Sequence, residues 1–221
     1  YVDALVESGV TLSPTFNIYS ASRDVMAAKT RDWHEKYSLP SLMEFYAPSA
    51  TNHGSYYKDW TSEDETAWRN FYSKWFKLTK DFHDRGGRVT AGSDPGYIYQ
   101  TWGFAYIGEL EMLREAGLSP LAVIRAATID GAREIYEPRG QEPPMGRIAV
   151  GQLADLVIVP ENPLANLKVL YGTGHTRLNY ETGAIEQVGG VRWTIKDGIV
   201  YDAPALLADV ARMVEEQRGE R

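Results

Sequence analysis

The sequence predicts an α/β fold followed by a small all-β unit, and two observations support this class. Over residues 1–136, segments whose apolar residues recur at helical spacing alternate with short segments rich in β-branched residues. This alternation is typical of consecutive β/α units. After residue 140, the chain changes to short strands separated by glycine and proline turns. A length of 221 residues suits one large domain or two small ones, and we predict domains at 1–140 and 141–221.

The first elements read as helix, glycine and strand, and a long aromatic segment follows them. Apolar residues at helical spacing precede Gly9, and residues 10–16 are rich in the β-branched residues that strands prefer. Residues 17–60 are irregular and rich in tyrosine and tryptophan, with one helix predicted near 20–36. Long irregular segments are uncommon unless they form a lid or binding loop or are disordered, and dense aromatic residues oppose disorder. We therefore predict an ordered lid or substrate loop.

A long amphipathic helix is predicted to begin after Thr61 and to end before Gly86. Thr61 or Ser62 can cap it, and the acidic residues that follow suit the positive end of the helix dipole. An apolar stripe at helical spacing predicts a core-facing surface rather than a ligand-binding one. The stripe consists of Trp68, Phe71, Trp75, Leu78 and Phe82.

The remaining elements are a strand, two helices, a small β unit and a terminal helix. Residues 88–94 predict a short buried strand, and helices are predicted at 105–116 and 120–136. A strand is predicted at 153–159, and a later hairpin turns at Asp197-Gly198. The last helix is predicted to dock through one apolar face, which is formed by Leu206, Leu207, Val210, Met213 and Val214.

Composition excludes several classes of function. The net charge is −7, from 23 basic and 30 acidic side chains, and there is no basic cluster that would neutralise the phosphates of a nucleic acid. No apolar run approaches the length that a bilayer requires, so neither a nucleic acid nor a membrane is predicted as a partner. The absence of cysteine excludes disulfides, thiol nucleophiles and cysteine metal ligands.

Asp94 is the candidate catalytic residue. It lies where the predicted strand 88–94 runs into an Asp-Pro-Gly turn, as a catalytic carboxylate at the end of a strand would. Asp is also a common turn residue for conformational reasons alone, so the local sequence leaves both interpretations open. The histidines do not decide the question, because His34, His53, His83 and His175 lack metal-ligand spacing.

Four segments in fixed order resemble the C-terminal part of metal-dependent hydrolases of the amidohydrolase superfamily, near imidazolonepropionase and prolidase-like enzymes. They are GGRVTAGSDPG, LSPLAVIRAATIDGAREIYE, MGRIAVGQLADLVIVPENPLANL and VRWTIKDGIVYD. The most specific piece is the pattern G-x-I-x-x-G-x-x-ADLV at 146–157. The resemblance covers most of the chain and is weakest over 20–60.

The resemblance implies a TIM-like (β/α)8 barrel, of which residues 1–140 would form the last β/α units, and a β-sandwich that includes 141–221. Asp94 matches the aspartate that ends the eighth strand, where it binds the metal, zinc in our expectation, and acts as general base. Tyr97, Tyr99 and Trp102 would line the pocket of a small-molecule amide substrate, although ordinary loop packing explains aromatic residues there equally well.

The other metal ligands of the family have no counterpart in this sequence. We therefore expect a chain that begins within an element of a longer enzyme, is catalytically silent alone and binds no active-site metal alone. Exposed strand edges predict a homo-oligomer or a complementary N-terminal segment.

Two alternatives to an amidohydrolase remain open at this point. One is a non-catalytic binding or structural domain that keeps the fold, and the other is an esterase that uses the same activated water. The substrate, the compartment and the number of metals are not determined by the sequence.

Overall fold

A computed structural model describes residues 1–52 and 54–220 and shows a mixed chain of α-helices and β-strands. The helices are α1 (Val2–Glu7), α2 (Ser20–Arg23), α3 (Val25–Lys29), α4 (His34–Tyr37), α5 (Pro40–Tyr46), α6 (Ser62–Asp84), α7 (Ala105–Glu115), α8 (Pro120–Ala126), α9 (Ile129–Tyr136) and α10 (Ala203–Gly219). The strands are β1 (Thr11–Leu12), β2 (Arg88–Val89), β3 (Leu156–Ile158), β4 (His175–Leu178), β5 (Ile185–Val188), β6 (Trp193–Lys196) and β7 (Ile199–Asp202). Short 3₁₀ helices cover Phe16–Tyr19, Glu137–Arg139 and Leu167–Leu170.

The two strands of the N-terminal part pair in parallel. Thr11 lies opposite Arg88 and Leu12 opposite Val89, so both strands end at the same edge of the pair. Both strands are shorter than the predictions of 10–16 and 88–94. In β1 the cause is local, because Pro14 has no N–H to donate and Thr15 adopts a left-handed φ of 54°.

The long helix α6 confirms the prediction from its capping signal. The Thr61 hydroxyl accepts the Asp64 N–H at 3.4 Å, and the Asp64 carboxylate accepts the Thr61 N–H at 2.8 Å. Those hydrogen bonds lower the pKa of Asp64. The predicted apolar stripe is wrong in one member, since Phe71 is 48% exposed whereas Tyr72 is 1% exposed. The Tyr72 hydroxyl donates to the Phe16 carbonyl at 2.5 Å, so the face of α6 that carries Tyr72 lies against the core.

The main core fills the space between α6, β2, α7 and α8. The fully buried side chains at its centre are Phe16, Tyr72, Phe82, Leu110, Leu113, Leu118 and Val123. The helix predicted over 120–136 is divided into α8 and α9. The break lies at Thr128, with φ −133° and ψ −98°, beside the Ala126 carbonyl that accepts the N–H of Ala91 at 3.2 Å.

The aromatic segment 17–60 contains several short helices up to Tyr46, and its later described residues, 47–52 and 54–60, form turns and irregular structure. The single helix predicted near 20–36 is wrong, because Asp24, at φ −157°, interrupts it and caps α3 through the Ala27 N–H at 2.9 Å. The Trp68 ring of α6 stacks on Tyr19 and on Trp60, with ring centroids 5.6 Å and 6.0 Å apart, so the segment packs against the long helix.

The C-terminal part contains two antiparallel sheets, in the strand orders β3-β6-β7 and β4-β5. The predicted hairpin at Asp197-Gly198 is confirmed, with both residues at positive φ. Asp155, from the glycine-rich pattern, accepts the Asp197 N–H and the Lys196 ammonium at 2.9 Å each, which ties β3 to the hairpin. The β4-β5 hairpin has no counterpart among the predictions.

The docking face predicted for α10 is largely wrong. Val214 is fully buried, but Leu206 and Met213 are each 51% exposed. The helix is held instead through its polar C-terminal end, where the Gln217 amide oxygen accepts the Ser41 N–H at 2.9 Å. Within the ranges 1–52 and 54–220, none of the helices combines the length and the apolar character that a membrane crossing needs.

Candidate functional site

Asp94 lies in the loop that follows β2, at the edge where both parallel strands end. Its backbone is left-handed, with φ 42°, and the residue is exposed. A positive φ is uncommon outside glycine and is enriched in Asp and Asn, and such residues concentrate at functional sites. No hydrogen bond or ion pair joins its carboxylate to another described residue, so both oxygens are accessible to a ligand or a proton.

A closed turn follows Asp94 immediately. The Gly96 N–H donates to the Gln100 carbonyl at 2.6 Å, and the Gln100 N–H donates to the Tyr97 carbonyl at 2.8 Å. Gly96 has φ 104°, and a Cβ there would lie 2.9 Å from the Trp102 ring. Glycine is therefore required at this position, and the indole of Trp102 covers the turn.

The structure separates the three aromatic residues that were predicted to line a pocket. Trp102 is 63% exposed, whereas Tyr99 is 4% exposed. The Tyr99 hydroxyl lies 2.8 Å from that of Tyr57, and burial together with this contact raises the pKa of Tyr57. Tyr97 is half-buried, with its ring 5.7 Å from that of Tyr19. Tyr97 and Trp102 thus have accessible surface in the loop that carries Asp94, while Tyr99 is buried. The role of all three in binding stays a prediction.

The histidine of the aromatic segment that the structure describes is occupied by internal contacts. His34 is 6% exposed, and its ring nitrogens lie 3.0 Å from the Ser38 hydroxyl and 2.9 Å from the Ala28 carbonyl. Burial lowers the pKa of His34, which favours the neutral ring. His53, the other histidine of that segment, lies outside the described residues.

The donors needed for a metal are not brought together in the part of the chain that the structure describes. His83 lies in the last turn of α6 and His175 begins β4. Across residues 1–52 and 54–220, no group of three or more His, Asp or Glu side chains could hold a metal ion. Asp94 has the oxygen donors that zinc accepts, but a stable site needs three or four ligands, so these residues do not form a metal site by themselves.

Glu109 is a buried carboxyl group that the sequence reasoning missed. It lies in α7 with 0% exposure, and its Oε2 accepts the Asn17 N–H at 2.7 Å, while Oε1 has no partner among the described residues. Burial raises the pKa of Glu109 to about 8, although backbone hydrogen bonds from residues 15–17 oppose part of that rise. The signal was available, because Glu109 shares one helical face with Ala105, Met112 and Leu113, all of which are buried.

Comparison with solved structures shows a shared fold. A bottromycin amidohydrolase matches with 18% identity and a TM-score of 0.62, over 97% of this chain and 44% of that one. A Xaa-Pro dipeptidase with methionine bound in its active site matches with 20% identity and a TM-score of 0.52, over 91% of this chain and 36% of that one. A prolidase in complex with N-methylphosphonate-L-proline matches with 17% identity and a TM-score of 0.51, over 91% of this chain and 37% of that one.

This chain therefore spans less than half the length of these solved chains. A comparison with curated protein sequences finds no significant match. The sequence profile of the amidohydrolase family matches residues 3–198, which is well over half of the chain and includes β1, β2 and Asp94. On that match, and as its sequence motifs predict, the chain belongs to the amidohydrolase family.

Proposed function

We propose that this chain is the C-terminal part of a metal-dependent amidohydrolase that cleaves a C–N bond in an amide or cyclic amide. One observation carries the proposal. In a chain of this family, Asp94 is an exposed carboxylate without a partner among the described residues, held in a left-handed backbone at the carboxyl edge of a parallel strand pair. Active sites of (β/α)8 enzymes are built at that edge of the strands.

In this proposal, β1 and β2 are the last two strands of a (β/α)8 barrel. The parallel register and the position of α6 between the two strands support the assignment. The antiparallel sheets within 141–221 would belong to a β-sandwich. Apolar side chains exposed in this part of the chain favour a further surface that covers them in the complete sandwich. Among those side chains are Ile148, Ile185 and Ile199, which are 91%, 77% and 59% exposed.

A divalent metal, most simply zinc, would be held in the complete enzyme by Asp94 together with ligands outside this chain. When bound, such a metal lowers the pKa of a water molecule to about 7. Within this chain, the task of Asp94 is to accept the proton of the attacking water and to pass it to the leaving nitrogen. Its exposed oxygens suit that task, since neither accepts a hydrogen bond from the part of the chain that the structure describes.

The substrate in this proposal is a small amide, and the surface beside Asp94 suits it. Tyr97 and the exposed indole of Trp102 would contact the apolar part of the substrate. The ring of Tyr99 is buried against Tyr46 and Tyr57. Acylated amino acids, dipeptides, cyclic amides and imidazolones all contain a carbonyl that such a site can attack.

The test uses the natural full-length polypeptide that carries this chain, assayed with added zinc against that panel of amides. We expect turnover that a zinc chelator abolishes and that restored zinc returns. No turnover of any amide, with a folded and zinc-loaded protein, would favour a non-catalytic binding domain instead.

Titration of the isolated 221-residue chain with zinc is expected to show no tight, stoichiometric binding, because one carboxylate does not hold the ion. Calorimetry measures this directly. Tight one-to-one binding that is lost in Asp94→Asn would contradict the expectation and would place the whole metal site within this chain.

The partner in this proposal is either a second copy of the chain or a complementary N-terminal segment. We expect the isolated chain to self-associate, because strand edges and apolar side chains of the β unit are uncovered. Size-exclusion chromatography with light scattering measures the mass. A stable monomer over a wide range of concentrations would argue against an uncovered interface.

A further inference from the structure

We propose that Glu109 is a positioning residue that holds the Asp94 loop in place through Asn17 and Gln100. The inference rests on the role proposed for Asp94. It concerns a carboxyl group that does not touch the substrate surface and that acts through three hydrogen bonds in series.

The first bond joins α7 to the loop after β1. Glu109 Oε2 accepts the Asn17 N–H at 2.7 Å. Thr15, two residues earlier, is left-handed at φ 54°, and a left-handed residue turns successive N–H groups toward one point. The carboxyl group therefore fixes the start of the 3₁₀ helix Phe16–Tyr19.

The second bond joins the loop after β1 to the loop after β2. The Asn17 side chain donates from Nδ2 to Gln100 Oε1 at 2.7 Å. Asn17 and Gln100 are only 4% and 7% exposed, so water does not replace this bond when it breaks. Breaking it would leave buried polar groups unpaired, which makes the link between the two loops costly to lose.

The third bond reaches the residues beside Asp94. The Gln100 carbonyl accepts the Gly96 N–H at 2.6 Å, and Gly96 is two residues beyond Asp94. Since the Asp94 side chain has no described partner of its own, its position is set by the backbone around it. Glu109 therefore influences the position of Asp94 through these hydrogen bonds and not by direct contact.

Gly108 offers a way to disturb the series without weakening the helix. A Cβ at Gly108 would lie 2.6 Å from Asn17 Oδ1, so Gly108→Ala has to displace the Asn17 amide. Alanine is also about 1 kcal/mol more favourable than glycine within a helix. That gain offsets part of the cost of the unpaired polar groups, so the variant should stay folded while losing the link between the loops.

The experiment measures amide hydrogen exchange of Gly96 in the full-length polypeptide that carries this chain. In Gly108→Ala we expect exchange of the Gly96 N–H to accelerate about tenfold, as for the loss of one buried hydrogen bond, with protection in α6 retained. Gly131→Ala is the matched control, since Gly131 lies in α9 and its Cβ would meet only the Ala126 carbonyl at 3.5 Å. That control should leave Gly96 exchange unchanged.

A second pair of variants changes Glu109 itself. Glu109→Gln keeps an oxygen that accepts the Asn17 N–H, so Gly96 exchange should stay near the wild-type rate. Glu109→Leu fills a similar volume without an acceptor, so it should reproduce the effect of Gly108→Ala. Unchanged Gly96 exchange in Gly108→Ala would overturn the proposal, whether or not Glu109→Leu folds.

Kinetics on the full-length polypeptide separate this proposal from the proposed function. Gly108→Ala should lower kcat about tenfold, because the loosened turn no longer holds Asp94 in place. Inactivity of the wild type toward every amide would overturn the hydrolase function, whereas the exchange measurement would still establish the link between the loops. Full activity of Gly108→Ala with a loosened Gly96 would overturn the positioning role.

Discussion

Replacing Asp94 by asparagine is expected to reduce kcat of the full-length polypeptide by about 10²- to 10⁴-fold, the usual contribution of a general acid–base group. The amide keeps the size of the side chain but cannot accept the proton of the attacking water. Asparagine tolerates the left-handed backbone as well as aspartate does, so the φ of 42° should persist and the protein should stay folded. Steady-state kinetics, with circular dichroism as a check on folding, measure the effect.

Asp197 provides a matched control for this substitution. It is also an exposed aspartate with a left-handed backbone, at φ 50°, but it lies in the β6-β7 turn. Asp197→Asn should therefore leave kcat near the wild-type value. Equal losses in the two variants would show that the effect comes from the fold, and unchanged kcat in Asp94→Asn would remove Asp94 from the proposed chemistry.

The second large effect concerns the pH dependence of stability. Burial raises the pKa of Glu109 from 4.5 to about 8, so the folded chain binds a proton that the unfolded chain releases between these values. The stabilisation that Glu109 contributes to the folded state is therefore complete below pH 4.5, falls as the pH rises, and is lost above pH 8. The free energy of unfolding should fall by about 5 kcal/mol across this window on account of Glu109.

Glu109→Gln should remove this fall in the free energy of unfolding with pH, because the amide does not titrate. Urea denaturation at several pH values measures the slope of the free energy of unfolding against pH. Tyr72 and Tyr106 face the carboxyl group, but burial raises the pKa of both, so neither titrates in this window. The exposed Glu142 provides the control, since Glu142→Gln should keep the wild-type slope. A wild-type slope retained in Glu109→Gln would assign the pH dependence to other groups.

Elements with a strong local signal were predictable from the sequence. The Thr61 capping box marked the start of α6, and Asp197-Gly198 marked the hairpin turn. Both depend on contacts between residues close in sequence, where propensity and hydrogen bonding act together. The family was predictable for a different reason, since glycines and Asp155 keep fixed offsets around one strand and its hairpin.

Features set by distant contacts were not predictable. Aromatic residues surround much of α6, and the bond from Tyr72 to Phe16 decides which of them is buried. The break at Thr128 lies next to a carbonyl that accepts a hydrogen bond from Ala91. Asn17, far away in the sequence, joins Glu109 to Gln100, so the support of the Asp94 loop becomes visible only in three dimensions.

The stacked rings of Tyr19, Trp68 and Trp60 have a practical consequence. The indoles of Trp60 and Trp68 lie 6.0 Å apart and within 17° of parallel, close enough for their electronic transitions to couple. One indole belongs to the aromatic segment and the other to α6, so the near-ultraviolet circular dichroism of this pair reports whether the two are packed together. Opening of the segment can thus be followed optically, in native protein and without an attached dye.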